Sequence, residues 1–248
     1  MVQATPAVVD AARILKFLSR YQTARATLSQ IAAKLSIPKS TCSRILKALA
    51  DEGLLAYNAE TKLYSLGTYA IVIGSRASET VDYFVPIRRA LDELVERTTL
   101  TAAWVQITDP DRMMYIAKQE GTSHPHVSVS VGNRFPMLEV SYGQWVVAYA
   151  EPEEQRRLLE NGLPVVTETN ITDPDAYLTH AVEGRKRGVL TSSGDYVRGV
   201  WTASAPVLTH EDRLIGVLVI LGIAQTLDRA KQQQYAQDVA SVAQNIHI

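Results

Sequence analysis

A single cysteine, Cys42, is all that the 248-residue chain contains. That excludes an intrachain disulfide and any zinc cage built from cysteines. No apolar run approaches the roughly 18 residues that a membrane-spanning helix needs. The opening residues, MVQATPAVVDAARIL, lack the basic segment and uninterrupted apolar stretch of a secretory leader. Glycine-rich phosphate loops of the P-loop or dinucleotide type are missing, as is a Gly-x-Ser-x-Gly elbow that would expose a nucleophilic serine. Repeats and low-complexity segments are also absent. These gaps point to a cytoplasmic protein with no membrane partner, cofactor or redox chemistry. What remains is 46% hydrophobic and 21% charged, the composition of a soluble globular protein long enough to build two cores.

The net charge of −1 conceals an uneven distribution. Residues 1–66 hold nine Lys/Arg against four acids, a balance of +5, and the remainder holds sixteen against twenty-two, a balance of −6. The N-terminal part is therefore suited to a polyanion and the C-terminal part is not.

Three amphipathic patterns fill the basic part. Ala11, Ile14, Leu15 and Leu18 recur at the spacing of one helix face, as do Leu28, Ile31, Ala32 and Leu35, and Cys42, Ile45, Leu46 and Leu49. Thr27 and Gln30 form a capping box at the start of the second helix. Pro38 suits the first turn of the third, and Gly53 suits its end. Two β-prone runs, Leu54–Tyr57 and Lys62–Leu66, flank the turn Asn58-Ala59-Glu60-Thr61 and predict a hairpin. Three helices and a hairpin make a winged helix-turn-helix over residues 1–66. Residues 67–80 predict a linker helix weakened by Gly74.

Residues 81–248 mix helices and strands. Helices are expected from Phe84 through Val95, at Ser141–Tyr149, Pro152–Glu160 and Asp173–Arg187, and at the C-terminus. Strands are expected at Thr101–Ile107, Met113–Gln119, Val127–Val131, Val200–Val207 and Leu214–Ile220, with turns at Asp109-Pro110-Asp111 and His210–Asp212. The fold class is α+β, its second domain carrying a mostly antiparallel sheet.

If Cys42, Ile45, Leu46 and Leu49 face the core, then Lys39, Ser40, Ser43, Arg44 and Lys47 face outward at three- and four-residue spacing. Cations and small hydroxyls with no acid before Asp51 are what a major groove and its phosphates require. Arg44 can bond a guanine through two hydrogen bonds, and the serines can reach phosphates or base edges. Pro38 and Thr41 belong to the same helix start, which itself favours a phosphate. Thr27 and Lys62 are further phosphate candidates. The sequence thus names double-stranded DNA as the partner.

The segments TLSQIAAKLSIPKSTCSRILKAL (27–49), GLLAYN and YSLG (64–67) resemble the winged helix of the IclR family of bacterial regulators. VGNRFPMLEVSYGQWVVAYA (131–150) is similar to that family's glycine-proline loop and following helix. GVWTASAPVL (199–208) and RLIGVLVILG (213–222) are similar to its last two sensor strands. The resemblance implies a GAF-like effector-binding domain over residues 81–248, and dimers or tetramers on palindromic operators. It also implies an effector pocket lined by Val127 on a strand, Ser141, Tyr142, Ser192, Val200, Thr202, Val219 and Leu221. Where the family often has Gly-Lys this chain has Gly143-Gln144, Thr202 stands for a cysteine, Val219 and Leu221 stand for serines, and Ser192 stands where some members carry an acid. The exchange of hydroxyls for aliphatic surface implies an effector less polar than a small keto acid, such as an aromatic acid or related ring compound.

Other chemistry is weaker. His124 and His126 form a pair with no third metal ligand nearby. Asp195, Ser204 and His210 have the residue types of a nucleophile triad without the elbow, and Asp195 is read instead as a hydrogen-bonding residue before a strand. Cys42, Trp104 and Tyr115 are read as core, with a pocket role left open for the aromatics. An effector-gated regulator with no catalytic or metal residues is the leading reading. The alternatives are a small-molecule enzyme fused to a DNA-binding module, and an oligomerisation protein whose basic helix meets an acidic partner.

Overall fold

The computed structural model describes residues 5–109 and 111–246. Contacts divide the chain after Asp82 into two compact units.

In the first unit, α1 (Pro6–Leu18), α2 (Leu28–Leu35) and α3 (Lys39–Asp51) bury the faces expected of them. Ile14, Leu18, Ile31, Cys42 and Leu46 share one core. Burial raises the Cys42 thiol above its ordinary pKa, so this cysteine is a core hydrophobe and not a thiolate. The capping box is present: Gln30 N donates to Thr27 Oγ1 at 3.3 Å and Thr27 N donates to Gln30 Oε1 at 2.8 Å. Pro38 is the residue before α3 and lies outside its first turn; its carbonyl accepts the first helical bond from Cys42 N at 2.8 Å. After α3, Gly53 takes φ +71°, and Leu54 N and Gly53 N bond back to Leu49 O and Ala50 O at 2.9 and 3.0 Å. That double bond-back satisfies the last carbonyls and turns the chain sharply.

The hairpin pairs β2 (Leu55–Asn58) with β3 (Leu63–Leu66). Its turn contains no glycine, and Lys62 takes the left-handed conformation at φ +56°. β1 (Ala26–Thr27) adds to the other edge of β3, giving the order β1-β3-β2. Two residues are too short for any periodic signal, so this strand is not legible in the sequence. The expected linker is a single helix, α4 (Thr68–Thr80), running unbroken through Gly74.

The second unit is built on six antiparallel strands in the order β6-β5-β4-β9-β8-β7. These are β4 (Thr101–Asp109), β5 (Arg112–Gln119), β6 (Arg134–Pro136), β7 (Leu190–Ser193), β8 (Val200–Leu208) and β9 (Leu214–Ile223). Of the turn expected between β4 and β5, Pro110 lies outside the described residues. Period-two alternation splits the sheet into two apolar faces. Trp104, Trp201, Ala203, Leu218 and Ile220 face α5 (Phe84–Thr98) and α9 (Arg229–Gln244). Ala103, Val105, Val217, Val219 and Leu221 face a short turn at Ser141–Gly143 and α6 (Gln144–Tyr149), which contribute Tyr142 and Trp145. Helices α7 (Pro152–Leu159) and α8 (Pro174–Arg187) follow, the latter capped by Asp173.

One expected strand does not form. Residues 127–131 have no ladder partner: β6 pairs with the outer edge of β5 only along Arg112–Met114, and before it the chain makes isolated backbone bonds to Tyr115 through Gly132 and Asn133. Their alternation still sorts their side chains. Val127 and Val129 pack on the second face, while Ser128 bonds outward to Glu120 at 2.8 Å. β7 and β6, too short or too polar to show alternation, are the strands the sequence does not announce.

Candidate DNA-reading helix and ligand pocket

Helix α3 presents two different surfaces. Cys42, Ile45, Leu46 and Leu49 are buried, and Pro38, Lys39, Ser40, Ser43, Arg44 and Lys47 are exposed, with Thr41 between. Lys39 and Ser43, and Ser40 and Arg44, stand four residues apart, so each cation has a hydroxyl neighbouring it on the same helix face. Lys47 is engaged, its Nζ lying 2.9 and 3.1 Å from the two oxygens of Asp51, which raises its pKa through that hydrogen bond. Both groups are exposed, so this pair is a weak one that a phosphate can displace. Thr27 is half-buried and its hydroxyl is committed to Gln30, while Lys62 stands exposed at the hairpin tip. Elsewhere in this unit Arg13 is held by Asp10 and by Leu35 O, at 3.0 and 2.6 Å.

In the second unit a cavity of about 340 Å³ lies against the second face of the sheet. Strand register builds its floor. Ser192 on β7 sits opposite Thr202 on β8, which sits opposite Leu221 on β9. Ser192 Oγ and Thr202 Oγ1 are 2.9 Å apart, and Ser141 Oγ reaches Thr202 Oγ1 at 3.3 Å. Tyr142 bonds Tyr115 hydroxyl to hydroxyl. Burial pushes Tyr115 up to about 12 and holds Tyr142 well above the ordinary phenol value, the neighbouring Tyr115 adding to the effect. Both therefore stay neutral phenols. Gly143 is required at its place, since a Cβ there would lie 1.9 Å from Met137 O.

Seven of the eight residues expected in the pocket line this one cavity: Val127, Ser141, Tyr142, Ser192, Val200, Thr202 and Leu221. Val219 does not. It lies one register row deeper, opposite Ser204 and Ala103, fully buried in the cluster that contains Trp145. Tyr115, for which the sequence left a pocket role open, also lines the cavity, as do Ser128, Val129, Ser130, Asn133, Val140, Asp195, Tyr196 and Val197, which the sequence missed. Most of these come from loops, where no periodicity marks an inward side chain. Asp195 is the chemically notable addition. Burial raises its carboxyl above the usual range, while the Ser192 hydroxyl and His180 pull it back.

The triad types do not assemble. Ser204 Oγ is buried and accepts the Trp145 indole N–H at 3.0 Å. His210 is exposed in the turn beyond β8, on the order of 15 Å further along the strand direction. His124 and His126 lie in a loop with ring centroids 5.8 Å apart. Among the described residues no cluster of three metal-ligating side chains occurs.

Family profiles match both units. A profile described as the IclR helix-turn-helix domain covers residues 7–59, and one described as the bacterial transcriptional regulator IclR C-terminal covers residues 77–248. The chain is 24% identical over 237 residues to the HTH-type transcriptional regulator XynR of Escherichia coli, spanning 94% of each protein. Its fold matches an IclR transcriptional regulator from Alicyclobacillus acidocaldarius with a TM-score of 0.93, at 30% identity over 98% of both chains. It also matches an IclR homologue from Microbacterium hydrocarbonoxydans complexed with 4-hydroxybenzoate, with a TM-score of 0.82, at 18% identity over 97% of both chains.

Proposed function

This chain belongs to the IclR family of bacterial transcriptional regulators, and on that premise we propose how it works as a DNA-binding, effector-responsive regulator. Helix α3 enters the major groove of a palindromic operator, with Arg44 reading a base and Lys39, Ser40, Ser43 and Lys47 holding phosphates or base edges. Pro38 and Thr41 bring the helix start against the backbone, and Thr27 and Lys62 flank it. The observation that carries this reading is the exposed stripe of α3, free of acids before Asp51 at its last residue, opposite a fully apolar one. A solvated helix of ordinary composition would intersperse acids there.

The protein works in the cytoplasm as a homodimer or tetramer, so that two reading helices meet half-sites one helical turn or more apart. Supporting this is α4, on which no residue is buried and Tyr69, Ile71, Val72 and Ile73 lie exposed; an apolar stretch of this kind calls for a partner surface. A small ring compound in the cavity of the second unit is the effector, bound without turnover. The size of the cavity and its mix of aliphatic and hydroxyl groups support this, as does the 4-hydroxybenzoate carried by the Microbacterium homologue. The ligand alters DNA affinity only if it prefers one arrangement of the reading helices.

Footprinting on DNA flanking the protein's own gene, repeated with a panel of metabolites, tests the whole scheme. A protected palindrome that is lost or strengthened with one metabolite is the expected result. Absence of protection at low salt overturns it.

A further inference from the structure

Beside the ligand cavity lies a smaller one, of about 170 Å³, with charge of the opposite kind. It sits at the end of the sheet where the residues leading into β4, the end of β9, the first turns of α9 and the loop 123–127 come together. Val127 and Leu221 line both cavities, so a layer of aliphatic side chain stands between them. Among the described residues lining the larger cavity there is one carboxylate, Asp195, and no lysine, arginine or histidine. The smaller one reverses this. Lys231, His124 and His126 line it, and no aspartate or glutamate is among its described lining residues.

The donors of this cleft are uncommitted. The Lys231 ammonium has no hydrogen-bond or ion-pair partner among the described residues, and neither do the His124 ring nitrogens or the hydroxyls of Ser123 and Tyr235. An ammonium offers three N–H groups and no lone pair, so it addresses an acceptor only. The acids in the neighbourhood are turned to other work. Asp228 Oδ1 accepts the Lys231 backbone N–H at 2.8 Å, which also means that side chains, and not the end of α9, supply the attraction. Glu120 takes Lys118 and, at 2.8 Å, the Ser128 hydroxyl. His126 is held between Glu120 Oε2 and Ser123 O, at 3.4 and 3.2 Å. Its ring meets that of His124 edge-on, with centroids 5.8 Å apart, and so braces the wall that carries His124. Leu100, Leu221 and Leu227 supply an apolar side, where a charge-assisted hydrogen bond is screened less than in open water.

We propose that this cleft is a second binding site, one for a small oxyanion: a phosphate or a carboxylate group held by Lys231 together with His124, Ser123 and Tyr235. At half the volume of the neighbouring cavity, it has room for such a group and a few waters. The site stands independently of what the larger cavity binds.

Inorganic phosphate and malonate, titrated calorimetrically into the full-length protein at fixed ionic strength, test this. At least one should bind saturably at millimolar concentration or below. Phosphate alone assigns the cleft to phosphate groups, malonate alone to carboxylates, and both to oxyanions in general. Lys231→Gln, a change at an exposed side chain, should weaken that binding at least about tenfold, the worth of a hydrogen bond to a charged group, and His124→Ala should weaken it less. The probe that binds should also shift the imidazole NMR signals of His124 and leave those of His210 in place. Absence of saturable binding by either probe overturns the proposal, as does undiminished binding in Lys231→Gln. The basic face of α3 also attracts anions, so Lys39→Ala with Arg44→Ala locates the binding, as does Val200→Phe, which fills the larger cavity. Loss of binding in either of these, with Lys231→Gln unaffected, places the anion on the reading helix or in the larger cavity and removes it from the cleft.

Discussion

At the scale of single residues, identical chemistry means different things according to what surrounds it. Arg44 and Lys39 are exposed cations on α3, and Arg44 alone has the planar fork that reads guanine. Arg44→Ala should cost about 1–3 kcal/mol on the specific operator and flatten its preference over scrambled DNA, whereas Lys39→Ala should weaken both equally. Fluorescence anisotropy with the two DNAs checks it; equal loss on both for Arg44→Ala refutes base reading. Lys47→Ala should cost less than Lys39→Ala, because Lys47 must give up Asp51 for any phosphate it gains. The buried phenols carry another expectation. The folded pKa of Tyr115 is raised to about 12, so the stability it lends is complete below the ordinary phenol range near pH 10 and drains away as pH rises through about 12. Denaturant midpoints measured between those limits should fall with pH, and less steeply in Tyr115→Phe. The outward residues of α3 were legible because 3.6-residue periodicity names both faces of a helix at once. Asp195 was not legible as a pocket residue, because a loop has no periodicity to say which way it points.

At the scale of elements, local chemistry set most boundaries. The Thr27–Gln30 box and the Gly53 stop are short-range features complete within a few residues, and both appear where the sequence places them. Thr27→Ala should destabilise the protein by about 1 kcal/mol, seen as a lower denaturant midpoint at unchanged slope; a drop in DNA affinity at full stability would instead assign Thr27 to a phosphate. The loop at 127–131 shows the opposite case. Its alternation of valine and serine is genuine, yet a strand needs a ladder partner, and the chain meets the edge of β5 only further on, at Gly132, Asn133 and β6. Pairing partners lie far away in sequence, so periodicity alone could not foresee it. Val219 failed for a related reason. Its side chain faces the correct side of β9, but register places it one row beyond the cavity, opposite Ser204 and in the buried cluster that contains Trp145.

At the scale of the whole molecule, the bare apolar surface of α4 asks for a second copy of the chain. Ile71→Lys with Ile73→Lys, two exposed positions that contribute nothing to either core, should shift the protein toward smaller species in sedimentation velocity and weaken palindrome binding more than half-site binding. An unchanged oligomer removes α4 from the interface. The linear chain determined, by itself, the order of the helices, the basic first part against the acidic second, and the outward stripe of α3. Each of these depends on residues a few places apart, whose mutual positions the backbone geometry dictates. Tertiary structure alone decided which strands became neighbours, and through that register brought Ser192, Thr202 and Leu221, up to 29 residues apart, onto one floor with Asp195 at its rim.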